Sequence, residues 1–164
     1  MTDIDFKSYD LGRPEGRHAV LKSIPPEREA VRKVHAELLD LFQREMDFRK
    51  ADHPDHPEWK FDYVELIYWC ALLLYLVGDP KDVPLMWKAK HIDFDIGCCF
   101  DGQFLVGGGV EQTIEYLSDG SNEEAVEYIK KLRDLKEFDY LPTWEQFRVH
   151  YFYPHIAPPK SDQA

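Results

Sequence analysis

The sequence predicts an all-α protein: a single compact domain of six or seven helices packed around one buried central helix at about residues 62–78. Three observations predict it. From Tyr63 to Val77 every residue except Glu65 is apolar or aromatic, a run too long for a strand of about 4–8 residues. Elsewhere apolar residues recur at spacings of three and four, the period of an amphipathic helix. Pro, Gly and small polar residues fall where helices start and stop. A helix that is apolar all round lies inside a protein or a membrane. A membrane span needs about 20 apolar residues, whereas Lys60 and Asp62 close this run at one end and Asp79, Lys81 and Asp82 at the other. The run is therefore predicted to be a protein core, with no membrane involved.

Residues 1–24 show little periodicity, and Gly12, Pro14 and Gly16 interrupt it, so they read as an irregular N-terminal arm. Residues 25–153 make up the helical domain. Pro25-Pro26 suits a first helical turn, where a missing N–H does no harm. Val31, Val34, Leu38, Leu41, Phe42 and Met46 then predict an amphipathic helix over about 26–50. Asp52-His53-Pro54-Asp55-His56-Pro57 reads as a loop, because two prolines forbid a continuous helix. Asp62 is placed to cap the central helix, Gly78 to end it in the left-handed conformation, and Pro80 to prevent its continuation.

Asp82 as N-cap and Pro84 in the first turn open a helix at about 83–91, with Leu85, Met86 and Ala89 inward and Lys88 and Lys90 outward. His91-Ile92-Asp93-Phe94-Asp95-Ile96 alternates apolar and polar residues. A lone strand would have no partner here, so an extended linker is expected, anchored by Ile92, Phe94 and Ile96. Residues 98–117 read as helix interrupted at Gly107-Gly108-Gly109, since glycine inside a helix costs about 1 kcal/mol each relative to alanine. The triplet is read as a turn between two short helices, the alternative being the close approach of another backbone. Ser121-Asn122-Glu123-Glu124 matches a capping box and opens a helix at about 122–136 that buries Val126, Ile129, Leu132 and Leu135. Thr143-Trp144-Glu145-Gln146 repeats the pattern and starts a last helix with Trp144, Phe147 and Tyr151 on one side. Pro154 ends it, and residues 154–164 read as a disordered tail.

The totals narrow the function. A chain of 164 residues is one domain in size, and 44% hydrophobic content separates it from disordered chains despite a net charge of -11. That charge repels phosphates, and no basic run with interleaved aromatics overrides it, so nucleic acid is not an expected ligand. A basic protein partner is favoured instead. The acidic N-terminal residues include no apolar segment of signal-peptide length, which predicts a cytoplasmic location. Three cysteines, with Cys98 and Cys99 adjacent, make no disulfide framework and no zinc spacing.

Several residue groups could carry chemistry. Asp52, His53, Asp55 and His56 contain metal-ligand types, but on a Pro-rich loop rather than the rigid elements such sites use. His91, Asp93 and Asp95 would share one face of an extended segment, a set open to a divalent cation. Cys98 is a nucleophile only with a nearby base such as His91. The three glycines lack the Lys-Ser/Thr of a phosphate loop, and neither Gly-x-Ser-x-Gly nor His-Glu-x-x-His occurs. No catalytic residue and no cofactor is therefore assigned. Glu65 and Asp101 lie in apolar company and need partners, for which Lys88 and Arg148 are available.

The block from Leu76 to Leu117 contains Gly78-Asp79-Pro80-x-Asp82-Val83-Pro84-Leu85-Met86-Trp87-Lys88-Ala89-Lys90, then Phe94-Asp95-x-Gly97-Cys98 and Asp101-x-Gln103-Phe104-Leu105. It resembles the small acidic α-helical immunity proteins of bacterial polymorphic-toxin and contact-dependent competition systems. The resemblance covers about a quarter of the chain and includes no catalytic signature. It implies a cytoplasmic antidote that binds one cognate toxin, often a cationic nuclease, and blocks its active site. The expected function is thus a protein-binding antidote whose acidic surface meets a basic partner over Asp79, Asp82, Trp87, Asp93, Asp95, Asp101, Glu111 and Glu115. Two other readings stand beside it. One is a metal-dependent hydrolase using His91, Asp93 and Asp95, or the Asp52–His56 loop. The other is an oligomeric helical scaffold whose apolar surface meets itself.

Overall fold

The computed structural model describes residues 4–51, 61–120 and 122–156, and no strand occurs among them. In chain order the helices are α1 (Pro14–Ser23), α2 (Arg28–Lys33), α3 (His35–Lys50), α4 (Phe61–Val64), α5 (Leu66–Val77), α6 (Val83–Lys90), α7 (Phe94–Cys99), α8 (Val110–Ser118), α9 (Glu123–Asp134) and α10 (Leu141–Phe152). Single 3-10 turns occupy Phe6–Ser8, Pro80–Asp82 and Gly102–Val106. The fold is all-α, as the composition and period predict.

Every residue of α5 is buried. Helices α1, α2, α3 and α10 and the 102–106 turn pack against it, while α8 and α9 pair with each other. Leu66, Ile67, Leu72 and Leu73 have no exposed surface, and each contributes about 1.5–3 kcal/mol of burial before chain entropy is charged. Gly78 ends α5 at φ 73°, ψ 33°, with its N–H on the Leu74 carbonyl at 3.1 Å. The last carbonyls of a helix lack partners within it, and here α2 supplies them: Arg32 Nε donates to Val77 O at 3.1 Å and Arg28 Nη1 to Leu76 O at 3.5 Å.

Both readings of the glycine triplet hold. It is the turn between the 102–106 segment and α8, and it is also a close backbone approach. A Cβ on Gly107 would stand 2.0 Å from Tyr75 O, and one on Gly108 2.6 Å from Gly78 O. The C-terminal turn of α5 and the start of α8 are thus in backbone contact.

The arm expected over 1–24 instead contains α1, whose Pro14, Arg17, Val20 and Leu21 are buried. Gly16 breaks nothing; a Cβ there would meet the Asp10 carbonyl oxygen at 2.0 Å, so glycine lets residue 10 fold over the helix. The helix expected over 26–50 is two, divided at Val34 (φ −115°, ψ 24°). This division lets α2 turn onto the end of α5. The central helix expected from 62 is likewise divided at Glu65 (φ −85°, ψ −8°), which accepts no capping bond through its side chain. The side chain of Asp62 lies outside the described residues, as does Ser121 of the capping box.

The linker over 91–96 is instead the start of α7. Asp93 accepts from Ile96 N at 2.8 Å as its N-cap, so the period changes from two to that of a helix. Ile96 and Phe100 then share the inward side, and Phe94 is 83% exposed rather than an anchor. Lys90 points inward, donating from Nζ to Gly97 O at 2.8 Å and Phe100 O at 2.7 Å, and burial lowers its pKa. Asp82 precedes α6 but makes no side-chain cap. Asp79 caps the preceding turn instead, through Lys81 N at 3.0 Å. Leu135 is 60% exposed because α9 stops at Asp134, and Lys136 follows with φ 62°. Thr143 is not a cap: α10 starts at Leu141 with Pro142 in its first turn. Its inward side is Trp144, Val149 and Phe152, while Phe147 and Tyr151 face out.

Candidate functional site

Two places concentrate charge in opposite ways. The first is closed. Arg17 on α1 donates from Nε to Glu45 Oε1 on α3 and from Nη1 to Leu11 O at 3.2 Å, with its guanidinium 5.4 Å above the Phe48 ring. The Arg17 and Glu45 side chains are 4% and 1% exposed. Burial pushes the Glu45 carboxyl up to about 7, against the pull of Arg17 and then Arg49. Cys70 on α5 is fully buried, and burial followed by the Glu45 charge holds its thiol well above the usual range. A raised thiol with no exposure is inert. This cluster pins α1 to the core and has no route to a substrate.

Glu45 titrates higher in the folded protein than in the unfolded chain, so its protonation favours folding. The stability it contributes is complete below about pH 4.5 and is lost as pH rises through 7. Denaturant unfolding is expected to give the wild type an advantage over Glu45→Gln at about pH 5 that shrinks by on the order of 2–3 kcal/mol towards about pH 8. A difference independent of pH would mean that Glu45 keeps an ordinary carboxylate pKa.

The second place is open. Helices α8 and α9 form an antiparallel hairpin turning at Gly120. Thr113, Ile114 and Leu117 from one helix and Ala125, Val126 and Ile129 from the other are buried. That inward set forces Glu111 and Glu115 on α8, and Glu123, Glu124 and Glu127 on α9, to the outside. With Asp119 in the turn, residues 111–129 hold six carboxylates and no Lys or Arg. Arg133 ties down the far end, with Nη1 on Glu111 Oε1 at 3.1 Å, and Lys130 reaches Glu127 at 3.3 Å. Glu115, Asp119, Glu123 and Glu124 have no ion pair among the described residues. Beside the turn, Trp87 of α6, Gly120, Asn122, Glu123 and Glu124 line an open cleft of about 430 Å³. The Trp87 ring is held by His91 and Tyr128, with ring centres 4.3 and 5.3 Å away.

The contact band expected from sequence is only partly at the surface. Asp82 is buried, Oδ2 lying 2.8 Å from His35 Nε2, and burial raises its pKa despite that partner. Asp101 is spent on α10: its Oδ2 accepts from Trp144 Nε1 at 2.8 Å and from Nε and Nη2 of Arg148. Arg148 was one of the two partners foreseen for it. Asp79 and Asp93 each commit an oxygen to a cap. Asp95, Glu111 and Glu115 are exposed and Trp87 half-buried. Glu65 accepts from Tyr151 Oη at 2.7 Å, at the edge of a smaller cleft of about 250 Å³ against Trp69 and Phe152. Asp119, Glu123, Glu124 and Glu127 were missed, although a run of residues 111–129 without a cation was there to be seen.

No family model, curated protein or solved structure matches the chain.

The metal-ligand sets fare differently. Asp52, His53, Asp55 and His56 lie outside the described residues. His91, Asp93 and Asp95 are described and do not converge, and no three His, Cys, Asp or Glu among the described residues are placed to hold an ion. The His91 ring is turned back, its Nδ1 2.8 Å from Trp87 O. Cys98 and Cys99 are exposed rather than packed in the core. No described helix is long and apolar enough to cross a membrane.

Proposed function

We propose that the chain is a protein-binding antidote of the immunity type, which captures one basic protein, a bacterial toxin, in the cytoplasm. The observation that supports this reading is the outer face of the α8–α9 hairpin. It carries six carboxylates without a cation over residues 111–129, in a chain of net charge -11. Concentrated charge of one sign steers an oppositely charged protein and raises its association rate. Trp87, fixed by its ring neighbours at the edge of the same face, supplies the aromatic anchor that charge alone lacks. The contact surface becomes Trp87, Glu115, Asp119, Glu123, Glu124 and Glu127, with Asp82 and Asp101 removed from it. The hydrolase reading loses its main support because His91, Asp93 and Asp95 diverge.

The test is association kinetics with the basic protein retained from the native cytoplasm, or with the product of the adjoining reading frame. The rate is expected to fall steeply with added salt. Replacing Glu115, Glu123 and Glu124 together by glutamine is expected to slow association about tenfold and leave the melting temperature unchanged. Association indifferent to ionic strength and to the triple replacement removes the proposal.

A further inference from the structure

The cleft of about 250 Å³ that Glu65 borders lies between α1, the start of α5 and the end of α10. Its floor is aromatic and almost wholly buried: Trp69 is 5% exposed and Phe152 7%. The rings hold one another in place. Phe152 stacks on Trp69 at 5.2 Å, while His18 meets Trp69 edge to face at 5.7 Å and Tyr151 meets Phe152 at 5.0 Å. Walls fixed in this way are preformed, so a ligand that enters need order little of the protein.

Two opposite charges line this cleft without pairing. Glu65 stands where an acidic side chain ordinarily caps a helix, yet it makes no capping bond to α5. Tyr151 Oη on α10 holds its carboxylate instead, at 2.7 Å. Among the described residues Glu65 has no cationic partner. Lys22, in the last turn of α1, is exposed and has no carboxylate partner among them either. The cleft thus offers one acid, one base and an aromatic floor.

We propose that this cleft binds a small zwitterion, a free α-amino acid with an apolar or aromatic side chain. Its ammonium group meets Glu65, its carboxylate meets Lys22, and its side chain lies on the Trp69 and Phe152 rings. Charge excludes the simpler ligands. A plain cation would face Lys22 and a plain anion Glu65, and an uncharged molecule would strip water from a half-buried carboxylate without replacing it. Size narrows the class further. A cavity of about 150 Å³ admits a benzene-sized molecule, and drug-sized ligands occupy about 300–1,000 Å³; a cleft of about 250 Å³ falls between them. The cleft shares no residue with the acidic face of α8 and α9, so the inference is independent of that docking surface.

The test is calorimetric titration of the full chain with L-phenylalanine and L-leucine, and with two halves of the former: phenethylamine, which lacks the carboxylate, and 3-phenylpropionate, which lacks the amine. At least one of the two amino acids is expected to bind with a dissociation constant on the order of 100 μM, and each half-ligand about tenfold more weakly than L-phenylalanine. Glu65→Gln keeps an acceptor for Tyr151. It is expected to weaken the amino acids and phenethylamine about tenfold and to spare 3-phenylpropionate. Lys22→Met, at an exposed position that the fold does not depend on, is expected to weaken the amino acids and 3-phenylpropionate and to spare phenethylamine. This second variant decides the matter even where Glu65→Gln fails to fold. The proposal is overturned by neither amino acid saturating below about 10 mM. It is equally overturned by half-ligands that bind as well as L-phenylalanine, or by amino-acid binding that ignores both replacements.

Discussion

Replacing Glu45 by alanine is expected to lower the unfolding free energy by about 3–5 kcal/mol, the cost of breaking one side of a buried ion pair. The loss should appear as a shift in urea midpoint at unchanged slope. Arg17 is 3% exposed, and its Nη2 already has no hydrogen-bond partner among the described residues. Without Glu45 its charge keeps only the Leu11 carbonyl and the Phe48 ring. Because Arg17 sits on α1, its release should also free residues 4–24, which rapid amide exchange of that segment would register. Two controls separate the mechanism from simple cavity formation. Glu45→Gln keeps an acceptor and is expected to cost about 1 kcal/mol at about pH 8, where the pH-linked advantage of Glu45 has gone. The double replacement Arg17→Met with Glu45→Leu is expected to regain most of the loss, since an apolar pair of similar volume carries no desolvation cost. A double variant as weak as Glu45→Ala would show that packing, not charge, sets the effect.

Gly107→Ala is expected to cost about 4 kcal/mol or more, or to prevent folding. The new Cβ would stand 2.0 Å from the Tyr75 carbonyl oxygen and 2.7 Å from its carbon. These are backbone atoms in the last turn of the core helix and cannot swing aside. Backbone strain is not the cause, because Gly107 has φ −60°, ψ −26°, a conformation any residue adopts. The comparison is Gly97→Ala in α7, where a Cβ would meet nothing closer than Lys90 O at 3.4 Å. There alanine's helix propensity is worth about 1 kcal/mol, so a neutral or slightly stabilising result is expected from thermal melts. Equal costs at the two positions would mean that α5 and the 107–109 turn do not touch as described.

The readings that succeeded from sequence rest on local physics. The length and composition of Tyr63–Val77 require a buried helix whatever surrounds it, and Gly78 followed by Pro80 requires that helix to stop. The readings that failed turned on contacts between distant residues. Gly16 looks like a helix breaker until Asp10 is seen folded against it. A period of two points Phe94 inward, and the Asp93 cap replaces that period with a helical one. Asp82 and Asp101 counted towards a docking surface because nothing in the chain order says that His35 and Arg148 reach them.

The candidate site divides in the same way. The absence of any cation between Glu111 and Lys130 is a property of the sequence alone. That these carboxylates share an outer face follows only once α8 and α9 turn their apolar sides to each other. Helical class, the core element and its terminus, and the sign of the charge follow from chain order, because each depends on composition or on residues within a turn or two. Which charges are buried and which remain for a partner, and whether an aromatic on α10 packs or protrudes, was decided by the tertiary structure. The free energy of a charge or a ring depends on what lies across the gap, and chain order does not encode that neighbour.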